Sequence, residues 1–228
     1  MQNAIAEKTP RLIAVVNANK FYLMSKNPAL RQIVRNAALI VPEWAIVWGA
    51  RRLNLPPVPH SGGILILHEF VPLAATHGYR PYFFGATQGV VSALAKRLRD
   101  VFPSLEIAGF HHGYVSTSEA EREVIEDIKR TRPDVLFVAL GSPRQELWLA
   151  SHLDELGVPV SIGVGGSFDV LAGLKRDTPS WARGRGLEWL YRLAKNPRTY
   201  WKRYLTTNSW FVMQVMRAKF RRDRHAEA

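Results

Sequence analysis

The sequence predicts an α/β domain, built on a mainly parallel sheet with helices on both faces and extended by a C-terminal basic, aromatic, helical appendage. Three observations predict it. Short apolar runs alternate with longer amphipathic ones, 47% of the 228 residues are hydrophobic, and a net charge of +12 is gathered at one end. Alternation of this kind marks strands joined by crossover helices, and the apolar share suffices to bury a full core. The boundary is set by the charge: residues 1–180 form the α/β core and 181–228 the appendage.

In chain order, strands are predicted at LIAVVNA (12–18), ALIVP (38–42), RPYFFGA (80–86), EIAGF (106–110), VLFVALG (135–141) and VSIGVGG (160–166). Apolar runs this short fit strands covered on both faces. A helix is expected over 45–54, behind Glu43. The run 89–102 places Val90, Leu94, Leu98 and Val101 on one helical face. The run 118–132 opens with Ser118 and Glu121 at capping-box spacing and turns Val124, Ile125 and Ile128 inward. The arrangement is Rossmann-like, and in such sheets ligands bind at the carboxyl ends of the strands.

Those ends carry NAN (17–19), PEW (42–44), GATQG (85–89), HHGY (111–114), GSPRQE (141–146) and GVGGSFD (163–169). Gly85, Gly89, Gly141, Gly165 and Gly166 would let main chain approach a ligand closely, and neighbouring helix N-termini favour phosphate. None of these turns is a P-loop or a complete Gly-x-Gly-x-x-Gly. Taken singly, each glycine reads as a strand terminator; their gathering on one rim points to a ligand.

Composition excludes several chemistries. With no cysteine, there is no disulfide framework, thiolate nucleophile or cysteine zinc site. The opening MQNAIAEKTP lacks an apolar signal core, and no run is long enough to span a bilayer, so a cytoplasmic protein is expected. His111 and His112 are adjacent on or beside a strand, so they are expected to point to opposite faces and not to chelate together. The remaining histidines show no ligand spacing, and neither metal nor cofactor is expected.

From Trp181 the chain changes character. Residues 181–224 hold twelve Lys/Arg against Glu188 and Asp223, together with nine aromatics. Asn196 and Pro197 open a helix. Along it Tyr200, Trp201, Tyr204, Leu205, Phe211, Val212, Val215 and Met216 recur at helical spacing among cations. Aromatics flanked by cations suit the headgroup zone of an anionic membrane. They also suit single-stranded nucleic acid, but no nucleic-acid signature is present and the charge follows no groove, so nucleic acid is not expected. The bland reading is a helix whose aromatic face packs on the core.

The segments VVNAN, NPALRQIVRNAALIVPEW, GSPRQELWLASH and GVGGSFDVLAGLKRDTPSWARGRGLEWLYRLAKNPRTYWKRYLTTN resemble the WecG/TagA/CpsF glycosyltransferases, from about Leu12 to Asn208. The resemblance implies an inverting, metal-independent enzyme. It would move a hexose or N-acetylhexosamine, such as N-acetylmannosamine, from a UDP-sugar to a sugar on a polyprenyl diphosphate, in teichoic acid, other cell-wall or exopolysaccharide synthesis. It also implies a peripheral position on the inner face of the plasma membrane; a homo-oligomer is left open.

Carried over position by position, the resemblance makes Glu43 the general base, in a Pro42-Glu43-Trp44 turn where the family has Pro-Asp-Gly. An inverting transfer needs such a base to take the acceptor hydroxyl proton. The alternative is a carboxylate that merely favours a helix N-terminus. The family's Thr-x-Asn becomes Asn17-Ala18-Asn19, with Asn17 counted as catalytic and Asn19 as a substrate positioner. The family's Arg-Val-x-Gly-x-Asp is PHSGGI (59–64): Gly62 survives as a substrate contact, while Pro59 and Ile64 replace the charged pair. Gln145 is expected on phosphate or sugar oxygens, and Glu146 on ribose hydroxyls. Gly85, Gly141, Pro143, Gly165, Gly166, Phe168 (stacked on the base) and Asp169 complete the nucleotide side. No Asp-x-Asp occurs, so the diphosphate is expected to meet arginines, from among Arg183, Arg185, Arg192, Arg198 and Arg203. The second reading is a catalytically impaired relative that binds nucleotide-sugar or lipid-linked sugar, favoured by the losses at 59–64.

Overall fold

The computed structural model describes residues 2–183 and 186–226. After α1 (Gln2–Glu7) come β1 (Arg11–Val16), α2 (Ala18–Lys26), α3 (Pro28–Asn36), β2 (Leu39–Pro42), α4 (Trp44–Arg52) and α5 (Gly63–His77). Then follow β3 (Pro81–Gly85), α6 (Gln88–Val101), β4 (Gly109–His111), α7 (Ser118–Thr131), β5 (Val135–Ala139), α8 (Arg144–Leu156) and β6 (Val160–Gly163). The chain ends with α9 (Ser167–Leu171), α10 (Ser180–Arg183), α11 (Glu188–Lys195) and α12 (Pro197–Ala226). The six strands form one sheet in the order β2-β1-β6-β5-β3-β4. The pairs β1–β6, β6–β5, β5–β3 and β3–β4 are all parallel, which gives the α/β, Rossmann-like fold.

The chain divides into two compact units. The sheet unit comprises Met1–Val15, Gln32–Ile40 and Gly62–Asp177; the helical unit comprises Val16–Arg31, Val41–Ser61 and Thr178–Ala228. The tail thus shares its unit with two earlier segments.

In the sheet unit, β3 and β5 are buried along their whole length, which is why PYFFG and VLFVA carry no alternation. Tyr82 is accommodated there because its hydroxyl donates to Asp127 Oδ2 at 2.7 Å. Helix α5 follows its N-cap Gly62 and buries seven residues, among them Leu67, Phe70 and Val71. In α7 the N-cap is Thr117, whose Oγ1 accepts Ala120 N–H at 3.2 Å, and not Ser118. Glu121 instead accepts Trp148 Nε1–H at 2.7 Å.

The helical unit has its own core. Ala18 from α2 and Phe211 and Val215 from α12 are buried together, with Ile46, Trp48, Leu53 and Trp210 packed against them. Phe21 meets Phe211 edge-on at 5.4 Å, and Tyr22 meets Trp210 edge-on at 5.3 Å. The helical spacing in the tail therefore resolves into two stripes. Phe211 and Val215 face inward, while Trp201, Leu205, Val212, Met216 and Phe220 are exposed.

Candidate active site

In the sheet unit, the chain leaving β3 continues to β4 on one side, and the chain leaving β5 continues to β6 on the other. Their outgoing connections part, and the carboxyl ends of two such neighbours form the crevice where parallel sheets take ligands. Gly85 ends β3 at φ +132°, and Ala86 N–H donates to Ala139 O at 3.0 Å. A methyl group at Gly85 would meet Ala139 main chain at 2.5 Å, so this glycine is required by strand packing. Gly141 (φ +77°) and Gly165 (φ +57°) hold left-handed turns, and neither they nor Gly166 has a neighbour within 4 Å of where a Cβ would stand. These three leave open main chain of the kind a phosphate can approach.

The GSPRQE turn is placed differently from expectation. Gln145 and Glu146 are both only 2% exposed. Gln145 Nε2 donates to Glu146 Oε1 at 2.7 Å, and Ser142 Oγ donates to the same oxygen at 3.1 Å. Gln145 Oε1 accepts Gly165 N–H at 3.1 Å. Gln145 is therefore a strut between the turn after β5 and the turn after β6, and its side chain fills the space at Gly163, where a Cβ would lie 2.5 Å from Gln145 Nε2. Pro143 caps α8 and borders a hollow of about 390 Å³ with Glu121, Arg144, Trp148 and His152.

Phe168 is a correction. It is fully buried, with its ring edge-on to Phe83 at 5.6 Å, so it is a core side chain and has no face free for a base. Asp169 is ion-paired to Lys175 at 2.9 Å. Gly62 is the N-cap of α5, and the next glycine, Gly63, lies against Val164. His111 and His112 also depart from expectation. The strand stops at His111, so the two rings turn together, 4.5 Å apart, instead of facing opposite ways. Among the described residues, no group of three His, Asp or Glu could hold a metal.

The helical unit carries the other named residues. Asn17 is the N-cap of α2, its Oδ1 accepting Lys20 N–H at 2.9 Å; Asn19 lies half-buried in that helix's first turn. Glu43 N–H donates to Val16 O at 2.9 Å, and Pro42 O accepts Ser61 N–H at 3.1 Å, so three separate segments are laced at one turn. The Glu43 carbonyl starts α4, but its side chain makes no capping bond. Half-buried, it has no hydrogen-bond or ion-pair partner among the described residues.

On the tail, Arg203 lies 4.9 Å from the Tyr200 ring centroid and 5.1 Å from that of Tyr204. Arg192 pairs with Glu188 at 3.5 Å, and Arg198 is exposed. Arg185, and the side chain of Arg183, lie outside the described residues. Sequence reasoning missed His60, whose ring lies tilted against Trp44 at 5.1 Å; its signal was its place in the altered 59–64 segment.

Comparison with known proteins completes the picture. The glycosyl transferase WecG/TagA/CpsF family model matches residues 1–225. An N-acetylglucosaminyldiphosphoundecaprenol N-acetyl-beta-D-mannosaminyltransferase of Bacillus spizizenii is 32% identical over 195 residues, covering 85% of this chain and 74% of the relative. A protein of the same name from Staphylococcus aureus strain MW2 is 29% identical over 228 residues, covering 94% of this chain and 87% of the relative. With a match that runs almost from end to end, the chain belongs to the WecG/TagA/CpsF family of glycosyl transferases.

Proposed function

We propose that this glycosyltransferase moves N-acetylmannosamine, or a similar N-acetylhexosamine or hexose, from a UDP-sugar to a polyprenyl-diphosphate-linked N-acetylglucosamine. The observation that carries this reading is the family match over residues 1–225, joined to relatives whose names state that transfer. Glu43 is the base. Its carboxylate takes the proton of the acceptor hydroxyl as that oxygen attacks the anomeric carbon. The new C–O bond forms as the bond to the nucleotide diphosphate breaks, UDP leaves with the electron pair, and the configuration inverts. A carboxylate with no partner of its own is suited to receive that proton. Asn17 and Asn19 orient the sugars, and Gly62 allows close approach. Main chain at Gly141, Gly165 and Gly166 meets the nucleotide, with Asp169 beside it. Gln145 and Glu146 act by holding the Gly165 turn. Arg192, Arg198 and Arg203 neutralise diphosphate charge.

The tail docks the enzyme on an anionic membrane. In support, Trp201 (48%), Leu205 (64%) and Phe220 (72%) are exposed on a helix rich in Arg and Lys. No helix among the described residues is long and apolar enough to cross a membrane.

The test is UDP release from UDP-N-acetylmannosamine with a short-tailed lipid-linked acceptor. Glu43→Gln is expected to lower kcat by about 10²–10⁴-fold, the range for removing a general base. Equal turnover by the two proteins removes Glu43 from the chemistry. Ile64, buried in α5 where the family carries an acid, favours a binding-only protein. UDP binding without turnover in the unsubstituted chain would establish that second reading.

A further inference from the structure

The Pro42–Glu43–Trp44 turn is fixed at its backbone, but the Glu43 side chain makes no bond that would aim it. A free carboxylate populates several rotamers, and a displacement of about 1 Å at a reacting group can cost roughly a hundredfold in rate. Something beside the turn must hold it still. The neighbouring residue is Trp44, whose indole is held by three different segments of the helical unit. The His60 imidazole lies over it at 5.1 Å between centroids, tilted by 32°. The Arg51 guanidinium stands 5.4 Å from its ring centroid. Gly186, in a left-handed conformation at φ +72°, brings main chain so close that a Cβ there would lie 3.0 Å from Trp44 Cδ2.

His60 is secured in turn. Its Nε2 is 4.0 Å from Glu188 Oε1 in the first turn of α11, and Glu188 is also paired with Arg192. The residue after it, Ser61, donates its N–H to Pro42 O. The ring that covers Trp44 and the backbone that ties the turn therefore belong to the same short segment.

We infer that Trp44, His60 and Glu188 form a brace across the base of the Glu43 turn, and that His60 is a positioning residue for the Glu43 carboxylate. The inference rests on the reading of Glu43 as the base. A side chain seventeen positions from Glu43 in sequence thereby limits the motion of the turn, and the 186–188 segment of the tail is part of the same support. The aromatic surface of His60 carries the effect, so a phenylalanine at this position should serve in its place.

The test uses the full chain with His60→Ala, His60→Phe and Glu43→Gln, read by steady-state kinetics and by amide hydrogen exchange of peptides covering 40–48. His60→Ala is expected to lower kcat by about ten- to a hundredfold, the cost of slight misplacement, with the donor KM within about twofold of wild type. Exchange at the turn should quicken. His60→Phe should restore both readouts to within about threefold. Wild-type kcat and exchange in His60→Ala, or the same defect in His60→Phe, would overturn the inference. Full activity in Glu43→Gln fails the base reading instead and takes the kinetic half of the inference with it. Exchange then decides the brace, and an unchanged rate in His60→Ala overturns it.

Discussion

In the sheet unit, a methyl group added at Gly85 would stand 2.5 Å from the carbonyl carbon and oxygen of Ala139. In the helical unit, one added at Gly49 would stand 3.0 Å from Phe211 Cζ and 3.1 Å from Val215 Cγ2. The first obstacle is the main chain of a paired central strand, which cannot withdraw without breaking the sheet. The second is the tips of two side chains on α12, which can turn aside. The two glycines therefore do different work. Backbone geometry fixes the end of β3 and the crevice beside it, whereas the seat of the tail is held by packed side chains, a softer constraint that tolerates repacking.

The largest expected effect follows directly. Gly85→Ala combines overpacking with a backbone conformation that alanine avoids, at φ +132°, and should cost about 3–5 kcal/mol. In a chain of this size that lowers Tm by roughly 6–20 °C. Gly49→Ala gains about 1 kcal/mol of helix propensity, which offsets the squeeze on Phe211, so its net effect should stay within about 1 kcal/mol. Denaturant titrations of both variants check this. Equal losses would break the contrast between the units.

A smaller effect separates buried from exposed polar groups. Gln145→Ala leaves the half-buried Gly165 N–H without its acceptor and removes a buried bond to Glu146, a loss of about 1–3 kcal/mol. Donor affinity should fall with it, because the Gly165 turn loses its strut. Arg192→Ala breaks only an exposed pair, worth at most about 1 kcal/mol. If that arginine meets diphosphate, its activity drops while its stability does not. Calorimetry beside kinetics distinguishes the two outcomes, and a parallel loss of stability in both variants would show that the tail pair is no softer than the strut.

How much of this was legible in the sequence depended on how local the cause was. The central strands declared themselves because VLFVA and PYFFG are buried on both faces and read as unbroken apolar runs. One of the two edge strands, β4, did not. β4 is half-buried throughout, so apolarity marked EIAGF while pairing selected Gly109–His111, next to β3. Helix α5 escaped because Leu65, Leu73 and Ala75 carry apolar character beyond its buried face of Ile64, Leu67, Phe70, Val71 and Ala74 and blur the amphipathic period, and the reading of 59–64 stopped at its motif. The rim glycines were readable from type alone. The fate of the side chains was not. Whether Gln145 meets a ligand or Gly165, and whether Phe168 meets a base or Phe83, is decided by segments 20 and 85 residues away, and no local pattern encodes it. His60 against Trp44 belongs to the same class.

The smallest effect concerns that pair. Burial holds the His60 imidazole below its ordinary pKa of 6.5. The groups around it are Trp44 on its face, Glu188 at 4.0 Å, Arg51 near the Trp44 ring and Arg192 on Glu188. With the folded value depressed, the unfolded chain takes up a proton first as pH falls through 6.5, so the unfolded state binds more protons over that interval. Stability contributed by neutral His60 is thus fully present above 6.5, declines as pH falls towards the folded value, and then levels off. His60→Phe keeps the ring and loses the titration. The Tm difference between wild type and this variant should therefore be flat above about pH 7 and move against wild type on acidification. A shift in favour of wild type would mean that Glu188 attraction outweighs burial. The imidazolium would then be the form that the brace holds, and the softer unit would depend on charge where it now depends on ring contact.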